Sequence, residues 1–310
     1  MISDNTNDII ELSKKESIKY HLNEEYRKKI NAKNQKISLN LSECSYIDDV
    51  SMLGSVYKLN LDKCWNIVDV SALGSVHTLY LSNCPKVTDV SMLGSVHTLI
   101  LNLYDSNPEN IFGIENLGLV HTLSLGNRKN IKDVSTLGGI HTLDLAWCSD
   151  ITDVSALGGV HTLDLCGCVN LKDVSALGNV YELDISENDN ITDVSKLGNV
   201  HTLNLDNCEN ITCISMLGCI HTLYLGYCNK IKDLTVLQSV NTLWINTDKY
   251  THDIGYLKNL KILMTETDIE GIHLLKKLEK LQINKNCSNK MKRRIKKLKI
   301  INPNVEIIFE

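Results

Sequence analysis

The chain has 310 residues, of which 43% are hydrophobic, so it can bury a large core, yet it holds only two Phe and 5% aromatics. That core must be built from Leu, Ile and Val, which suits thin stacked layers better than a globule with a bulky aromatic centre. The formal net charge of −5 excludes a whole-chain case for nucleic-acid binding.

The N-terminal stretch MISDNTNDIIELSKKES contains no apolar run of the length a signal peptide or membrane span needs. An intracellular, cytoplasmic protein is therefore expected, in which the eleven Cys stay reduced. Residues Asp8–Ile30 read as two short helices. Ser13-Lys14-Lys15-Glu16 fits a capping box, and Tyr26 and Ile30 lie one turn apart on the second helix, facing the body of the chain. Residues 1–36 are expected to form a helical cap.

From there to residue 284 one unit repeats. Its starts fall at Leu53, Leu73, Leu93, Leu117, Leu137, Leu157, Leu177, Leu197, Leu217, Leu237 and Leu257, in steps of 20 residues except for the 24 between Leu93 and Leu117. A fixed period of this size marks a solenoid, in which each unit buries its apolar face only against its neighbours. Val76, Leu79, Leu81, Cys84, Val87, Val90 and Leu93 define one coil. The alternation at Leu79 and Leu81 predicts a short strand with one buried side, and equivalent strands should stack as a parallel sheet about 4.8 Å apart. The return path, Asp-Val-Ser-x-Leu-Gly, has room for turns or a 3₁₀ segment only: Asp89 caps it, Ser91 adds a local bond, and Gly94 frees the backbone to bend into the next strand. The insert Asn102–Asn116, with Pro108, should bulge without breaking the stack, with Phe112 and Ile114 pointing inward.

The pattern LxxLxLxxC matches leucine-rich repeats, and the ITDVSALGNV-like stretches resemble their short internalin-type and cysteine-containing variants. The fuller wording resembles the F-box/leucine-rich-repeat proteins encoded by giant DNA viruses, over about Ile37 to Leu263. The resemblance implies an α/β fold: a right-handed solenoid with a parallel sheet on its concave face, turns or 3₁₀ on the convex face, and helical caps. It also implies protein binding. The stretch IIELSKKESIKYHLNEEYRKKI is similar to the back half of an F-box, the module that joins a substrate-recruiting subunit to a ubiquitin ligase. The front half, which grips the ligase adaptor, is missing, and a plain helical cap is the competing reading.

Columns of side chains carry the chemistry. Cys44, Cys64, Cys84, Cys148, Cys168, Cys208 and Cys228 should face the interior as small buried hydrophobes without disulfides. Cys166 should face out, which makes it a poor metal pair for Cys168. His77, His97, His121, His141, His161, His201 and His221 form a second column, with Tyr57, Tyr181 and Asn241 at other levels. It reads as a repeated amphipathic residue at the strand entry, against a metal-binding or pH-sensing alternative.

Between the two strand leucines the residue varies while the frame holds. These positions and their neighbours supply the candidate partner-binding residues: Tyr80, Ile100, Asp144, Trp147, Asp164, Asp184, Tyr224, Tyr227 and Trp244. Exposed aromatics beside acids have the composition of an interface and call for a basic protein partner. No HExxH, GxSxG or GxxxxGK[ST] motif occurs. The chain is read as non-catalytic and monomeric, with no catalytic residue, metal, cofactor or small-molecule substrate. Residues 285–310 are expected to close the stack, with Met291, Ile295 and Leu298 as the inward stripe of a helix, a turn at Asn302-Pro303-Asn304 and a final strand at Val305–Phe309. Lys290, Lys292, Arg293, Arg294, Lys296 and Lys297 make that helix basic. A solvated cap explains the charge, and an anionic membrane or nucleic-acid contact is the alternative.

Overall fold

The structure, a computed structural model, describes residues 9–103, 111–246 and 253–310. It divides into two compact units, residues 1–148 and 149–310. Both are stacks of leucine-rich-repeat coils, and no described helix is long and apolar enough to cross a membrane.

The first unit opens with a strand β1 (Ile9–Glu11), helices α1 (Lys14–Leu22) and α2 (Glu24–Asn31), and a strand β2 (Lys36–Asn40). The capping box forms as expected: the Ser13 hydroxyl accepts from the Glu16 N–H, and the Glu16 carboxylate accepts from the Ser13 N–H. Because Ser13 starts the helix, Ile9–Glu11 stay extended and pair in parallel with Lys36–Ser38, where the residue pattern predicts helix. Ile30 is buried and Tyr26 only half-buried. The anchor is Tyr20, fully buried with its hydroxyl donating to Asn31 Oδ1 at 2.6 Å. Ser17, also fully buried, accepts from the Asn40 N–H and ties α1 to β2.

Strands β3 (Lys58–Asn60), β4 (Thr78–Tyr80), β5 (Thr98–Ile100), β6 (Thr122–Ser124) and β7 (Thr142–Asp144) come next, each parallel to its predecessor. Leu59, Leu79, Leu99, Leu123 and Leu143 stand in one row by this register. The seven apolar positions of the coil from Val76 to Leu93 are at most 2% exposed, and each full aliphatic burial contributes about 1.5–3 kcal/mol. Leu99 pairs with Leu123, so the long repeat does not break the stack. Residues 104–110, which hold Pro108 and the middle of the expected bulge, lie outside the described residues. Ile114 is buried as expected, but Phe112 is 62% exposed. Phe112 bridges Asp89 on the return path and exchanges backbone bonds with Thr88 and Val90, which places it at an outward level. Leu103 and Ile114 fill the interior instead.

The second unit contains β8 (Thr162–Asp164), β9 (Glu182–Asp184), β10 (Thr202–Asn204), β11 (Thr222–Gly226), β12 (Thr242–Asn246), β13 (Ile262–Thr265), β14 (Lys280–Ile283), α3 (Asn289–Ile301) and β15 (Glu306–Phe309), the strands again parallel in chain order. Met291, Ile295 and Leu298 are the buried stripe of α3, whose N-cap is Ser288.

Two devices repeat through both units. On the return path an Asp carboxylate accepts from the N–H two residues on, as Asp89 does from Ser91 at 2.9 Å and Asp173 from Ser175 at 2.9 Å. This starts a short 3₁₀ segment at many levels. Gly94 has an ordinary φ of −63°, so its conformational freedom is not what the fold uses. A Cβ there would lie 2.3 Å from the Asn116 carbonyl oxygen of the next coil. Glycine is needed for close approach, not for bending. In the interior, thiols donate to the strand of the preceding coil: Cys64 to the Leu41 carbonyl at 3.1 Å, Cys84 to Leu61 at 3.1 Å, Cys208 to Ile185 at 3.1 Å and Cys228 to Leu205 at 2.9 Å. Arg128 and Asn188 occupy the same column and make the same bond, to Leu101 at 2.7 Å and Leu165 at 2.9 Å. All eleven cysteines are free. Cys166 is half-exposed and Cys168 buried: alternation alone would put both on one face, and the left-handed turn at Gly167, φ 67°, brings Cys168 inside.

Candidate binding surface

The variable residues lie on the outer face of each sheet, between leucines that point inward. In the first unit the row runs Asn60, Tyr80, Ile100, Ser124, Asp144 across paired strands. Tyr80 and Ile100 are half-buried, and Lys58 places its ammonium 5.7 Å from the Tyr80 ring centre. The Ser124 hydroxyl lies 2.5 Å from both Asn102 Oδ1 and Asp144 Oδ2. Asp144 also accepts from the Ala146 N–H at 2.9 Å.

In the second unit the row runs Asp164, Asp184, Asn204, Tyr224, Trp244, Met264 over β8 to β13. Acids stand at one end, and two aromatic rings and a thioether at the other. Asp164 accepts from the Cys166 N–H and Asp184 from the Ser186 N–H, each at 2.9 Å. The second Asp184 oxygen takes a bond from the Asn204 amide at 2.7 Å.

These bonds give the acids a local reason to be where they are. A side-chain oxygen at this position closes the strand by accepting from the N–H two residues on. Asn60 and Asn204 do the same with a neutral amide. The turn therefore accounts for Asp or Asn, but not for the charge. The carboxylates are also less isolated than sequence alone implies, since Ser124 and Asn204 each engage one.

A second row lies two residues on. Asp206 accepts from the Gly226 N–H at 2.5 Å. Burial pushes its carboxyl up to about 6, against the lowering effect of that bond and with a further push from Asp184 and Glu187. A Cβ on Gly226 would lie 2.7 Å from Trp244 Nε1 and 3.0 Å from Asp206 Oδ1, so the indole and the carboxylate share the space above one glycine. Sequence reasoning places Asp206 on this face but does not single it out. Its surroundings are set by Gly226 and Trp244, which lie one and two coils further on.

The next position has a property no composition reveals. Lys63, Asn83, Asn127, Trp147, Glu187, Asn207 and Tyr227 all have positive φ, between 55° and 62°, and Gly167 at the equivalent level has 67°. This left-handed turn suits Gly and Asn, and a bulky side chain costs about 1–2 kcal/mol there. Trp147 is 48% exposed. The left-handed backbone alone does not ask for a Trp or a Tyr at these turns.

The histidine column forms a stack. In the first unit Tyr57, His77, His97, His121 and His141 have successive ring centres 4.4, 4.5, 4.6 and 4.7 Å apart, with Lys36 over the Tyr57 ring. In the second, His161, Tyr181, His201 and His221 stack at 4.8, 4.5 and 4.6 Å. Several rings, such as His97 and His121, place Nδ1 within hydrogen-bond reach of the adjacent Thr hydroxyl. Burial, then the neighbouring His97 and His141, hold His121 below the usual imidazole range. Parallel rings project parallel lone pairs, which do not converge on one ion. Among the described residues no cluster of metal-ligating type occurs.

No protein-family model matches the chain, and no curated protein is found to match it. Among solved structures it is similar to an internalin, InlF, of Listeria monocytogenes, at 22% identity over 84% of this chain and 77% of that chain, with a TM-score of 0.54. It is also similar to a leucine-rich-repeat protein of Leptospira interrogans, at 18% identity over 89% of this chain and 90% of that one, with a TM-score of 0.52. At these identities the likeness is one of fold: a leucine-rich-repeat stack.

Proposed function

We propose that this protein is a non-catalytic scaffold that binds another protein through the outer face of its sheets. The observation that carries the reading is the identity of the residues at the left-handed turns. Trp147 and Tyr227 stand where glycine or asparagine would serve the backbone better, and Trp147 is 48% exposed, which fits a use outside the fold. Aromatic side chains on a semi-rigid frame are the anchors that dominate interface energetics. In the second unit Tyr227 stands beside Tyr224 and Trp244, and the same row carries Asp164 and Asp184. In the first unit Tyr80, Ile100, Asp144 and Trp147 are the corresponding residues. A partner that fits this composition offers a basic segment for the carboxylates and an apolar one for the rings. The protein works inside the cell, where its free thiols stay reduced.

The test is capture from a cell extract by immobilised wild-type protein and two variants, Asp164→Asn with Asp184→Asn, and Tyr224→Ala with Trp244→Ala. Both variants should fold and lose the same captured proteins, and wild-type capture should fade between low and high salt as steering is screened. Identical capture by all three would overturn the reading.

A further inference from the structure

A second surface, independent of the sheet face, lies at the C-terminal end of the second unit. A groove of about 520 Å³ is lined by Asn289, Lys292, Arg293, Ile295 and Lys296 of α3 and by Phe309 of β15. Its floor is apolar. Phe309 pairs in register with Ile283, and Ile307 with Leu281, both of which are inward core residues. Phe309 is nonetheless 53% exposed, so the groove continues the core by one layer that no described residue fills. Its rim is cationic. Lys290 and Arg294, on the neighbouring face of α3, are matched by Glu270. Lys292, Arg293 and Lys296 reach no carboxylate among the described residues.

The backbone beside the groove is also prepared. Glu306 and Glu310 donate to the Glu279 and Ile283 carbonyls, and Glu310 accepts from Lys285. By the alternation of a strand, the N–H and C=O of Ile307 and Phe309 point to the other side of β15. Among the described residues no strand pairs with that side.

We infer that this edge takes up an extended acidic peptide segment of another protein, which adds as a strand beside β15, sets an apolar side chain between Ile295 and Phe309, and meets Lys292, Arg293 and Lys296 with carboxylates. Strand addition of this kind draws affinity from the main chain and specificity from alternate side-chain pockets. The three unmatched cations choose an acidic segment over a basic or neutral one, and the apolar floor chooses a peptide with a large aliphatic or aromatic residue over a simple polyanion.

The experiment uses the full chain and a fluorescein-labelled probe peptide, Asp-Glu-Ile-Ser-Phe-Glu-Asp, read by anisotropy. A control peptide, Asp-Glu-Ser-Ser-Ser-Glu-Asp, carries the same charge without the apolar residues. The probe should bind saturably and the control at least about tenfold more weakly, as for loss of a buried anchor. Reversing the rim (Lys292→Glu with Arg293→Glu and Lys296→Glu) should weaken the probe by about tenfold or more. Ile307→Pro should weaken it as much, because it removes an outward N–H and leaves the bonds to β14 in place. Phe309→Ser checks the floor by a change that keeps the backbone donor, and thermal melts confirm that each variant folds. The inference is overturned if the control binds as well as the probe, or if rim reversal leaves probe binding unchanged. It is equally overturned if phosphatidylserine vesicles bind and the probe does not, or if the chain self-associates through this edge and the probe fails to compete.

Discussion

The Asn188 amide donates to the Leu165 carbonyl at 2.9 Å, in the place where other coils use a cysteine thiol. The same amide lies 3.0 Å from the Ile185 and Ser186 carbonyls. What this column requires is a buried donor, whatever its size or element. Asn188→Ala should therefore cost about 0.5–1.5 kcal/mol, the net worth of a hydrogen bond, because the Leu165 carbonyl then keeps only the Cys168 N–H as donor. Asn188→Cys should recover most of that loss. Urea denaturation of the three proteins checks it, and an alanine variant as stable as wild type would show that the bond is dispensable.

The left-handed turns predict an unusual separation of stability from binding. Tyr227→Asn should leave the midpoint of unfolding unchanged or raise it, since relief of the backbone by about 1 kcal/mol offsets the lost ring contacts. Capture of the partner should fall in the same variant. A marked loss of stability would mean that the ring is there for packing.

Asp206 sets a pH dependence. Its carboxyl is raised to about 6 in the folded chain, mainly by burial, against about 3.9 when unfolded. The folded state thus holds this proton more tightly than the unfolded one. The associated stabilisation is complete below about pH 4 and is lost as pH rises through about 6. Asp206→Asn should flatten the stability profile across that window and be the more stable protein at pH 7. Melting temperatures from pH 4 to 8 measure it, and parallel profiles for the two proteins would refute the assignment.

Two glycines on the return path should behave in opposite ways. Gly94→Ala puts a methyl 2.3 Å from the Asn116 carbonyl, a backbone atom that cannot swing aside, and should cost about 1–3 kcal/mol. At Gly139 the nearest atom to such a methyl is 3.5 Å away. Gly139→Ala should be neutral or stabilising by about 0.4–1 kcal/mol, through a less free unfolded chain. Equal costs at both sites would show that close approach is not what fixes Gly94.

The architecture was legible because it repeats. Leu79 and its equivalents recur at one period, and a pattern that appears ten times over overrides local ambiguity. The Cys column and the helical stripe Met291, Ile295, Leu298 were legible for the same reason: burial tracks periodicity. What stayed hidden depends on pairings distant in sequence. Ile9–Glu11 look helical until β2 is there to pair with. Phe112 looks like a core residue until its bridge to Asp89 sets it at an outward level. The variable positions between the strand leucines were readable as outward-facing, but which of their residues the frame dictates was not. The strand-closing bond of Asp144, Asp164 and Asp184, and the positive φ at Trp147 and Tyr227, belong to backbone geometry and leave no mark in composition.

The row of thiols inside the coils has a consequence for how this molecule could be watched. Burial drives Cys64 up to about 11 and Cys84 and Cys208 up to about 12, and Cys228 higher still. None reacts with an alkylating reagent while its coil is closed. Cys213 and Cys219 lie exposed, and Cys213 is lowered by its bonds to Ser215, so these two label at once. Later labelling at Cys64, Cys84, Cys208 or Cys228 then times the opening of one identified coil, whereas the half-exposed Cys166 does not. The chain thus carries internal clocks at known rungs, and slow alkylation combined with peptide mapping would reveal which end of each unit frays first.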